Sequence, residues 1–264
     1  MDWKSQQNSD GGWAYSRGCS WTELAALVLL AQTATGIDNY SFAAGARFLR
    51  SLQGDGGGWR PQTGVAESTW VTALVALLPA EVTGVPQRRR ALDWLKGQTG
   101  QESGWRYKLN QRLNGNKEEF PEGWPWFPGA APRVIPASFG ILAFERESMS
   151  PDRVAEGRRF LLSHMCADGG WNHGSNRALG RDGDSYPETT GIALLALRGV
   201  KVDRSIAQAR KLLNECRSAE GIAWLRMGLA AHGIIAQAPV EPRLRTIVDN
   251  ALSKLADAPR NPLL

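Results

Sequence analysis

The feature that most constrains this chain is a short unit that recurs along it. Its fullest copy, Ala46 to Leu77, consists of a helix-like stretch, a glycine-rich turn that delivers Trp59, and a second apolar stretch. The turn and its tryptophan recur at Trp13, Trp105 and Trp171, and a degenerate copy ends at Trp224. The first two intervals are 46 residues and the third is 66, which indicates a normal unit carrying about twenty extra residues. Such a period predicts a repeat protein of about five units.

Apolar residues recur at helical spacing on both sides of each turn, so each unit is predicted to be a pair of helices. The predicted helices cover 20–34, 39–53, 67–79, 87–98, 134–146, 151–165, 188–199, 203–216, 220–236 and 242–257. One helix of each pair is rich in Ala, Leu and Val and should face inward. Its partner carries the Arg and Lys residues and should face outward.

Each helix pair exposes an apolar stripe that it cannot bury alone and that the next pair covers. No stretch alternates apolar and polar residues with the period of two that is typical of a strand. We therefore predict an all-α fold, an α/α toroid forming a single domain over 1–264, with an inserted aromatic and proline-rich loop at 106–133. Residues 1–7 look like the end of a helix whose beginning is absent, so the chain is expected to open within a unit. Gln53 and Gln98 are expected to bond to exposed helix-terminal groups at the turns.

Composition excludes several classes of protein. With 42% hydrophobic and 22% charged residues, the chain resembles a soluble globular protein. No apolar run approaches the ~18 residues that span a bilayer, and the N-terminus lacks a signal-peptide core, which favours the cytoplasm. The net charge of +5 comes from scattered basic residues. No nucleic-acid partner is expected, whereas peripheral contact with the inner membrane face, through an anionic lipid surface, stays open.

The pattern Phe48-Leu49, Gln53 and Gly57-Gly58-Trp59 resembles the glutamine–tryptophan repeat of squalene-hopene and oxidosqualene cyclases. The segments STWVTALVAL and ETTGIALLAL resemble inner helices of that superfamily, which includes protein prenyltransferase β subunits. The resemblance covers roughly 1–235 and implies an α/α toroid that binds an isoprenoid or similar apolar ligand. The activity it implies is that of a proton-initiated terpene cyclase, in the isomerase or lyase class.

The candidate acid lies before the fourth inner helix. Cyclases of this superfamily place an Asp-x-Asp-Asp motif at the start of an inner helix, and this chain contains no such motif. By the resemblance, Glu188 falls near the proton-donor position, with Asp182 and Asp184 upstream. The alternative is an acidic first turn that simply complements the helix dipole.

No metal or other cofactor is expected. The prenyltransferases use a zinc site of Asp, Cys and His, but the residues His164, Cys166, Asp168 and His173 match no common zinc spacing. Cys19 and its neighbours lack the Cys-x-Glu-Gln of thioester domains. Structural roles are favoured for all of these side chains.

Aromatic residues form the predicted substrate-binding wall, able to stabilise a carbocation through cation–π attraction. Trp124, Trp126 and Phe127 lie in the insertion and suggest a lid over the ring mouth or a wedge against a membrane or partner; the alternative is that they tuck onto the core. The other wall candidates stand at or near predicted inner-helix starts, and they are Trp21, Trp70, Phe139 and Tyr186.

Two other functions stay open on the same scaffold. One is a non-catalytic binding or interaction module, because one toroid serves many roles. The other is a toroidal polysaccharide lyase, which requires a groove of arginine, lysine and carboxylate side chains. A partner domain or homo-oligomer is left open as well.

Overall fold

The computed structural model describes residues 3–36, 39–100, 121–174 and 183–264. Over these ranges the chain forms one short 3-10 helix at Lys4–Gln6, eleven α-helices and no strand, which confirms the all-α prediction. The α-helices are α1 (Thr22–Thr35), α2 (Asn39–Ser51), α3 (Val71–Ala76), α4 (Ala80–Thr83), α5 (Val85–Lys96), α6 (Val134–Arg146), α7 (Pro151–Ser163), α8 (Pro187–Ala196), α9 (Asp203–Glu215), α10 (Ala219–Ala230) and α11 (Ile247–Asp257).

The helices form the predicted toroid. The inner helices pack in the order α1, α3, α6, α8 and α10, and α11 packs against both α10 and α1, so that the ring closes. The helices α2, α5, α7 and α9 pack outside this ring. The inner helices are buried nearly all round, as in α8, where every residue from Thr189 to Ala196 is buried. None of the helices in the described ranges is long and apolar enough to cross a membrane.

Several predicted helix boundaries were wrong, each for a local reason. The predicted helix 67–79 is shorter because Thr69 N–H bonds to Trp59 O instead of entering a helix. The predicted helix 220–236 ends at Ala230, ahead of Gly233, which has φ +74°. The last helix begins only after Thr246, whose side chain forms a capping box with Asp249.

Four buried tryptophans tie each turn to the segment before it. Each indole N–H donates to a backbone carbonyl at 2.7–3.0 Å, the pairs being Trp13 to Trp3, Trp59 to Leu49, Trp124 to Leu95 and Trp171 to Leu161. All four rings are among the fully buried side chains. Three of these carbonyls, those of Leu49, Leu95 and Leu161, lie in the last two turns of a helix and also accept a backbone N–H, so the indole adds a second donor that joins the turn to the end of the helix.

The third repeat carries its buried tryptophan at Trp124, which bonds to Leu95 O. Trp105, to which the sequence assigned this place, lies outside the described residues. Gly123 lies against the Phe160 ring just as Gly58 lies against the Trp94 ring. The extra residues of the third repeat therefore precede its tryptophan instead of following it. The sequence favoured Trp105 because its Gly-Trp pair stands one period after Trp59. Trp124 is buried in the core of the repeat and does not form part of a lid.

The prediction that a degenerate fifth repeat ends in a turn at Trp224 was wrong. Trp224 does not follow a turn but lies inside α10, which begins at Ala219 after the Ser218 side chain accepts a hydrogen bond from Gly221 N–H. The cap starts the helix before the Gly-Ile-Ala-Trp sequence that resembled a turn. In the described ranges, four units carry the buried tryptophan.

Glutamine and glycine join each turn to the next outer helix. Gln53 Nε2 donates to Gly57 O and to Gln87 O in α5, both at 2.8 Å, which confirms the role predicted for Gln53. Gly57 has φ +96°, and a Cβ atom there would lie 2.5 Å from Arg90 O. The turn therefore accepts no other residue without displacing the neighbouring helix.

The inner helices α8 and α10 cross at glycines. A Cβ atom at Gly191 would lie 2.3 Å from the carbonyl carbon of Trp224, and one at Gly228 would lie 2.5 Å from Gly191 O. The two backbones are thus in direct contact at this crossing. This close approach brings the beginnings of α8 and α10 together at one rim of the ring.

Replacing Trp59 tests the indole bond. Trp59→Phe removes the indole hydrogen bond to Leu49 O and part of a fully buried ring, so we expect the free energy of unfolding to fall by about 1–3 kcal/mol. Urea unfolding measures the change. Ile235→Ala, at a side chain that is 93% exposed, is the control and should stay within about 0.5 kcal/mol of wild type. A Trp59→Phe variant as stable as the control would contradict this role.

Replacing Gly191 tests the helix crossing. Gly→Ala within a helix is ordinarily stabilising by up to about 1 kcal/mol, but at Gly191 the added methyl meets backbone, and we expect a loss of about 1–3 kcal/mol. Gly97→Ala is the matched control, because its nearest heavy atom would be 3.5 Å away. Equal thermal unfolding midpoints for the two variants would show that the crossing is looser than described.

Candidate functional site

The inner helices bring three carboxylates to one rim of the ring. Glu23 lies in the first turn of α1, Glu188 in the first turn of α8 and Glu220 in the first turn of α10. A Cβ atom at Gly221 would lie 3.0 Å from Glu188 Oε1, which places that carboxylate over the start of α10. Glu23, Glu188 and Glu220 are called the acid cluster below.

Glu220 is the member of the acid cluster with the most altered protonation. Burial, followed by the charges of Glu188 and Glu23 and more weakly of Asp249, raises the pKa of Glu220 to about 7, although a hydrogen bond from the Trp224 side chain acts to lower it. A carboxyl group whose pKa lies near the operating pH can hold a proton and also give it up, as a general acid requires.

Tyr15 and Trp21 extend the acid cluster on the side of α1. The Tyr15 hydroxyl donates to Glu23 Oε2 at 2.7 Å, and the Tyr15 ring meets the Trp21 ring edge-on at a centroid distance of 6.0 Å. Burial raises the pKa of Glu23, and the hydrogen bond from Tyr15 acts against that rise. Burial and the nearby charges of Glu23 and Glu220 raise the pKa of the Tyr15 phenol. Tyr15 therefore remains a neutral donor throughout the physiological range.

An aromatic row leads from α10 across the ring. The ring centroids lie 5.8 Å apart for Trp224 and Phe139, 5.6 Å for Phe139 and Trp70, and 5.1 Å for Trp70 and Trp126. Trp70 N–H also donates to Trp126 O at 2.9 Å, which fixes the end of the insertion onto the start of α3. Trp224, Phe139, Trp70 and Trp126 are called the aromatic row.

The structure brings some of the predicted site residues together and leaves others apart. Trp70, Trp126 and Phe139 meet in the aromatic row. Tyr186 stands at the beginning of α8 with its ring 46% exposed and 5.4 Å from that of His173. Asp184 is exposed, and its carbonyl oxygen accepts a 3.5 Å hydrogen bond from Asn172. Asp182 lies outside the described residues.

Trp124 is separate from these groups. Its side chain is 1% exposed, the Arg153 guanidinium lies 3.7 Å from its ring centroid and the Phe144 ring lies 5.8 Å away. Trp124 therefore packs in the core, apart from the aromatic row. Phe127, by contrast, is 49% exposed.

Sequence reasoning missed Glu220, Glu23 and Tyr15. A usable signal existed, because Glu23, Glu188 and Glu220 all stand in the first turn of an Ala- and Leu-rich helix. Comparing the starts of inner helices would have grouped them. The search for an Asp-x-Asp-Asp motif missed them because the carboxylates come from three helices instead of one segment.

The residues considered for zinc have other partners. The His164 ring lies 4.1 Å from the Phe160 ring, and Cys166 is buried. Asp168 Oδ2 accepts from Ser185 and Gln208. Burial acts to raise the pKa of Asp168, but hydrogen bonds from Gly170 and Ser185 outweigh it and lower the pKa. Within the described ranges, no three His, Cys, Asp or Glu side chains are grouped as metal ligands.

No family model and no curated protein matches this chain. Solved structures do. A form of the type II terpene cyclase MstE from Scytonema, in complex with geranylgeranyl dihydroxybenzoate (substrate), matches with a TM-score of 0.59 and 13% identity over 99% of this chain and 77% of that one. Another form, in complex with merosterolic acid A (product), matches with a TM-score of 0.56 and 14% identity over 99% and 78%.

The ent-copalyl diphosphate synthase from Streptomyces platensis is more distant, with a TM-score of 0.49 and 17% identity over 90% of this chain and 45% of that one. At 13–14% identity the likeness to MstE concerns the fold. It agrees with the ring of inner helices and with the glutamine–tryptophan repeats described above. The chain has the helical fold of the terpenoid cyclases.

Proposed function

We propose that this protein is a proton-initiated terpene cyclase in which Glu220 is the acid and the aromatic row holds the isoprenoid. The observation that carries the proposal is the meeting of Glu23, Glu188 and Glu220 at one rim of the ring, where burial and the other two charges raise the pKa of Glu220 to about 7. Glu188, for which the sequence predicted the acid role, instead supplies the charge that keeps the Glu220 proton in place. The fold shared with MstE, whose complexes contain a prenylated substrate, supports this assignment.

In the proposed reaction, the π electrons of the terminal isoprene double bond take the proton of Glu220 and form a C–H bond. A tertiary carbocation results, and the next double bond attacks it to form a ring C–C bond. The last cation loses a neighbouring proton to solvent, and solvent returns a proton to Glu220, so that the net change is an isomerisation. The aromatic faces of Phe139 and Trp224 stabilise the passing positive charge.

Two features lower the cost of deprotonating Glu220. The Trp224 side chain donates to the carboxylate that forms. The new negative charge also faces the carbocation in a buried environment, where their attraction is stronger than in water. Glu23, whose carboxylate accepts from the Tyr15 hydroxyl, lies close enough for its charge to act on Glu220.

Substituting Glu220 tests the acid. We expect wild type to convert at least one of farnesyl diphosphate, geranylgeranyl diphosphate or squalene to a cyclic product, and Glu220→Gln to lose turnover by about 10²-fold or more. Gas chromatography with mass spectrometry measures the product. Glu215→Gln, at an exposed carboxylate at the end of α9, is the matched control and should turn over as wild type.

Two outcomes would contradict the acid assignment. One is a folded Glu220→Gln variant, with an unchanged circular dichroism spectrum, that retains wild-type turnover. The other is a wild type that binds a polyprenyl chain without forming any product, which would support the non-catalytic binding module.

The pH dependence tests the role of Glu188. Since Glu220 must be protonated, kcat should be constant below about pH 7 and fall as the pH rises above the pKa of Glu220. Glu188→Gln removes the largest charge contribution to that raised pKa, so the falling limb should move to lower pH. Asp184→Asn, at an exposed side chain outside the acid cluster, should leave the limb in place. If the fall of kcat with rising pH shifts equally in both variants, or in neither, the effect of the Glu188 charge on the pKa of Glu220 would be contradicted.

A further inference from the structure

A glycine follows Glu220 in the first turn of α10, and it has no room for a side chain. A Cβ atom at Gly221 would lie 2.9 Å from Cys216 Sγ, 2.9 Å from Pro187 Cβ and 3.0 Å from Glu188 Oε1. Real Cβ atoms essentially never approach another heavy atom within 3.0 Å. Pro187, Glu188, Cys216 and Gly221 are called the rim contact below.

The rim contact joins three helices at their ends. Pro187 and Glu188 open α8, Gly221 lies in the first turn of α10, and Cys216 follows the last residue of α9. The proline ring is fixed to its own backbone and cannot turn aside as a long side chain does. The Glu188 carboxylate therefore lies against the backbone of α10 only because residue 221 lacks a Cβ atom.

Ser218 holds two members of the rim contact in place. Its side chain accepts from Gly221 N–H at 3.2 Å, and its carbonyl oxygen accepts from the Cys216 thiol at 3.6 Å. Cys216 is itself buried. Since these groups are fixed by the cap of α10, the end of the Glu188 side chain is the part of the rim contact that can move most easily.

Carboxylates face Glu220 from three helices. Glu23 comes from α1, Glu188 from α8 and Asp249 from α11, and the Tyr15 hydroxyl donates to Glu23. All three charges act to raise the pKa of Glu220, and that of Glu188 has the largest effect among them. The distance of the Glu188 carboxylate from Glu220 is therefore the electrostatic variable that matters most at this rim.

The end of α9 adds two more titratable groups. Burial raises the pKa of the Cys216 thiol, and the charge of Glu188 acts in the same direction, so the thiol is neutral. The guanidinium of Arg217 donates to the carbonyl oxygens of residues 214, 215 and 216, which directs its charge to the end of α9. Cys216 therefore limits the space around the Glu188 carboxylate without adding a charge.

We propose that Gly221 is a positioning residue for the acid, because its missing side chain lets the Glu188 carboxylate lie over the start of α10, beside Glu220. Coulomb attraction and repulsion weaken with distance, so a small displacement of that carboxylate changes the field at Glu220. Gly221 acts through Glu188 alone. Its catalytic meaning rests on the proposed function, whereas the positioning can be measured without turnover.

Replacing Gly221 with alanine tests the rim contact. The added methyl should displace the Glu188 carboxylate, so the titration midpoint of Glu220 should fall by roughly 0.5 pH units. It should fall further in Glu188→Gln, which removes the charge. Carbon-13 NMR of the side-chain carboxyl carbons measures the midpoint. Gly97→Ala, where the nearest heavy atom would be 3.5 Å from the new Cβ, is the matched control and should titrate as wild type.

A double-variant cycle separates positioning from a general loosening of α10. If Gly221 acts through Glu188, adding Gly221→Ala to Glu188→Gln should cause no further shift of the midpoint. An equal shift in both backgrounds would overturn the proposal. So would a folded Gly221→Ala variant that titrates like Gly97→Ala.

A second variant covers the case in which Gly221→Ala does not fold. Glu188→Asp keeps the charge but withdraws the carboxylate from the rim contact by one methylene group. The midpoint of Glu220 should then lie between those of wild type and Glu188→Gln. A wild-type midpoint in Glu188→Asp would show that the position of the carboxylate is irrelevant and would overturn the proposal.

These outcomes are distinct from failure of the catalytic proposal. If the midpoint shifts as expected but wild type forms no cyclic product, the positioning stands and the acid assignment fails. If Glu220→Gln loses turnover while Gly221→Ala leaves both the midpoint and the pH dependence of kcat unchanged, the acid assignment stands and the positioning is overturned. When both hold, Gly221→Ala moves the fall of kcat to lower pH by the same amount as the NMR midpoint.

Discussion

The fold depends on a hydrogen bond from a buried indole to a backbone carbonyl of the segment before it. Trp13, Trp59, Trp124 and Trp171 each make this bond with a fully buried ring. Losing it would remove a buried hydrogen bond and leave the buried ring site poorly filled, and both effects cost stability. Because each turn is fixed in this way, each inner helix starts at a defined place. The starts of the inner helices, in turn, are where the acid cluster lies.

The acid cluster follows from the architecture rather than from a local motif. A first-turn carboxylate is favourable on any helix because it complements the helix dipole. When the helices α1, α8 and α10 meet at one rim, three such carboxylates are forced together and cannot all be ionised without mutual repulsion. Glu220 takes up the proton because its surroundings are buried and because Glu188 and Glu23 are near. An ordinary helix-capping preference thus becomes a candidate acid.

Much of the fold could be predicted from the sequence, since helical spacing and the glycine-tryptophan turns are local signals. The same local signals favoured Trp105, one period after Trp59, where the described structure uses Trp124, and they predicted a turn at Trp224, which follows a glycine within a helix. The aromatic partners Trp70, Trp126 and Phe139 could be named in advance, but not their order. Glu220 could not be selected, because its pKa is set by residues that are close only in the folded ring.

The central claim is that burial and the neighbouring charges of Glu188 and Glu23 raise the pKa of the Glu220 carboxyl group to about 7. A direct test is a carbon-13 NMR titration of the side-chain carboxyl carbons, with Glu220 assigned by loss of its signal in Glu220→Gln. The account predicts a midpoint near pH 7 for Glu220, moving lower in Glu188→Gln. A midpoint near the ordinary value of 4.5, unaffected by Glu188→Gln, would contradict it.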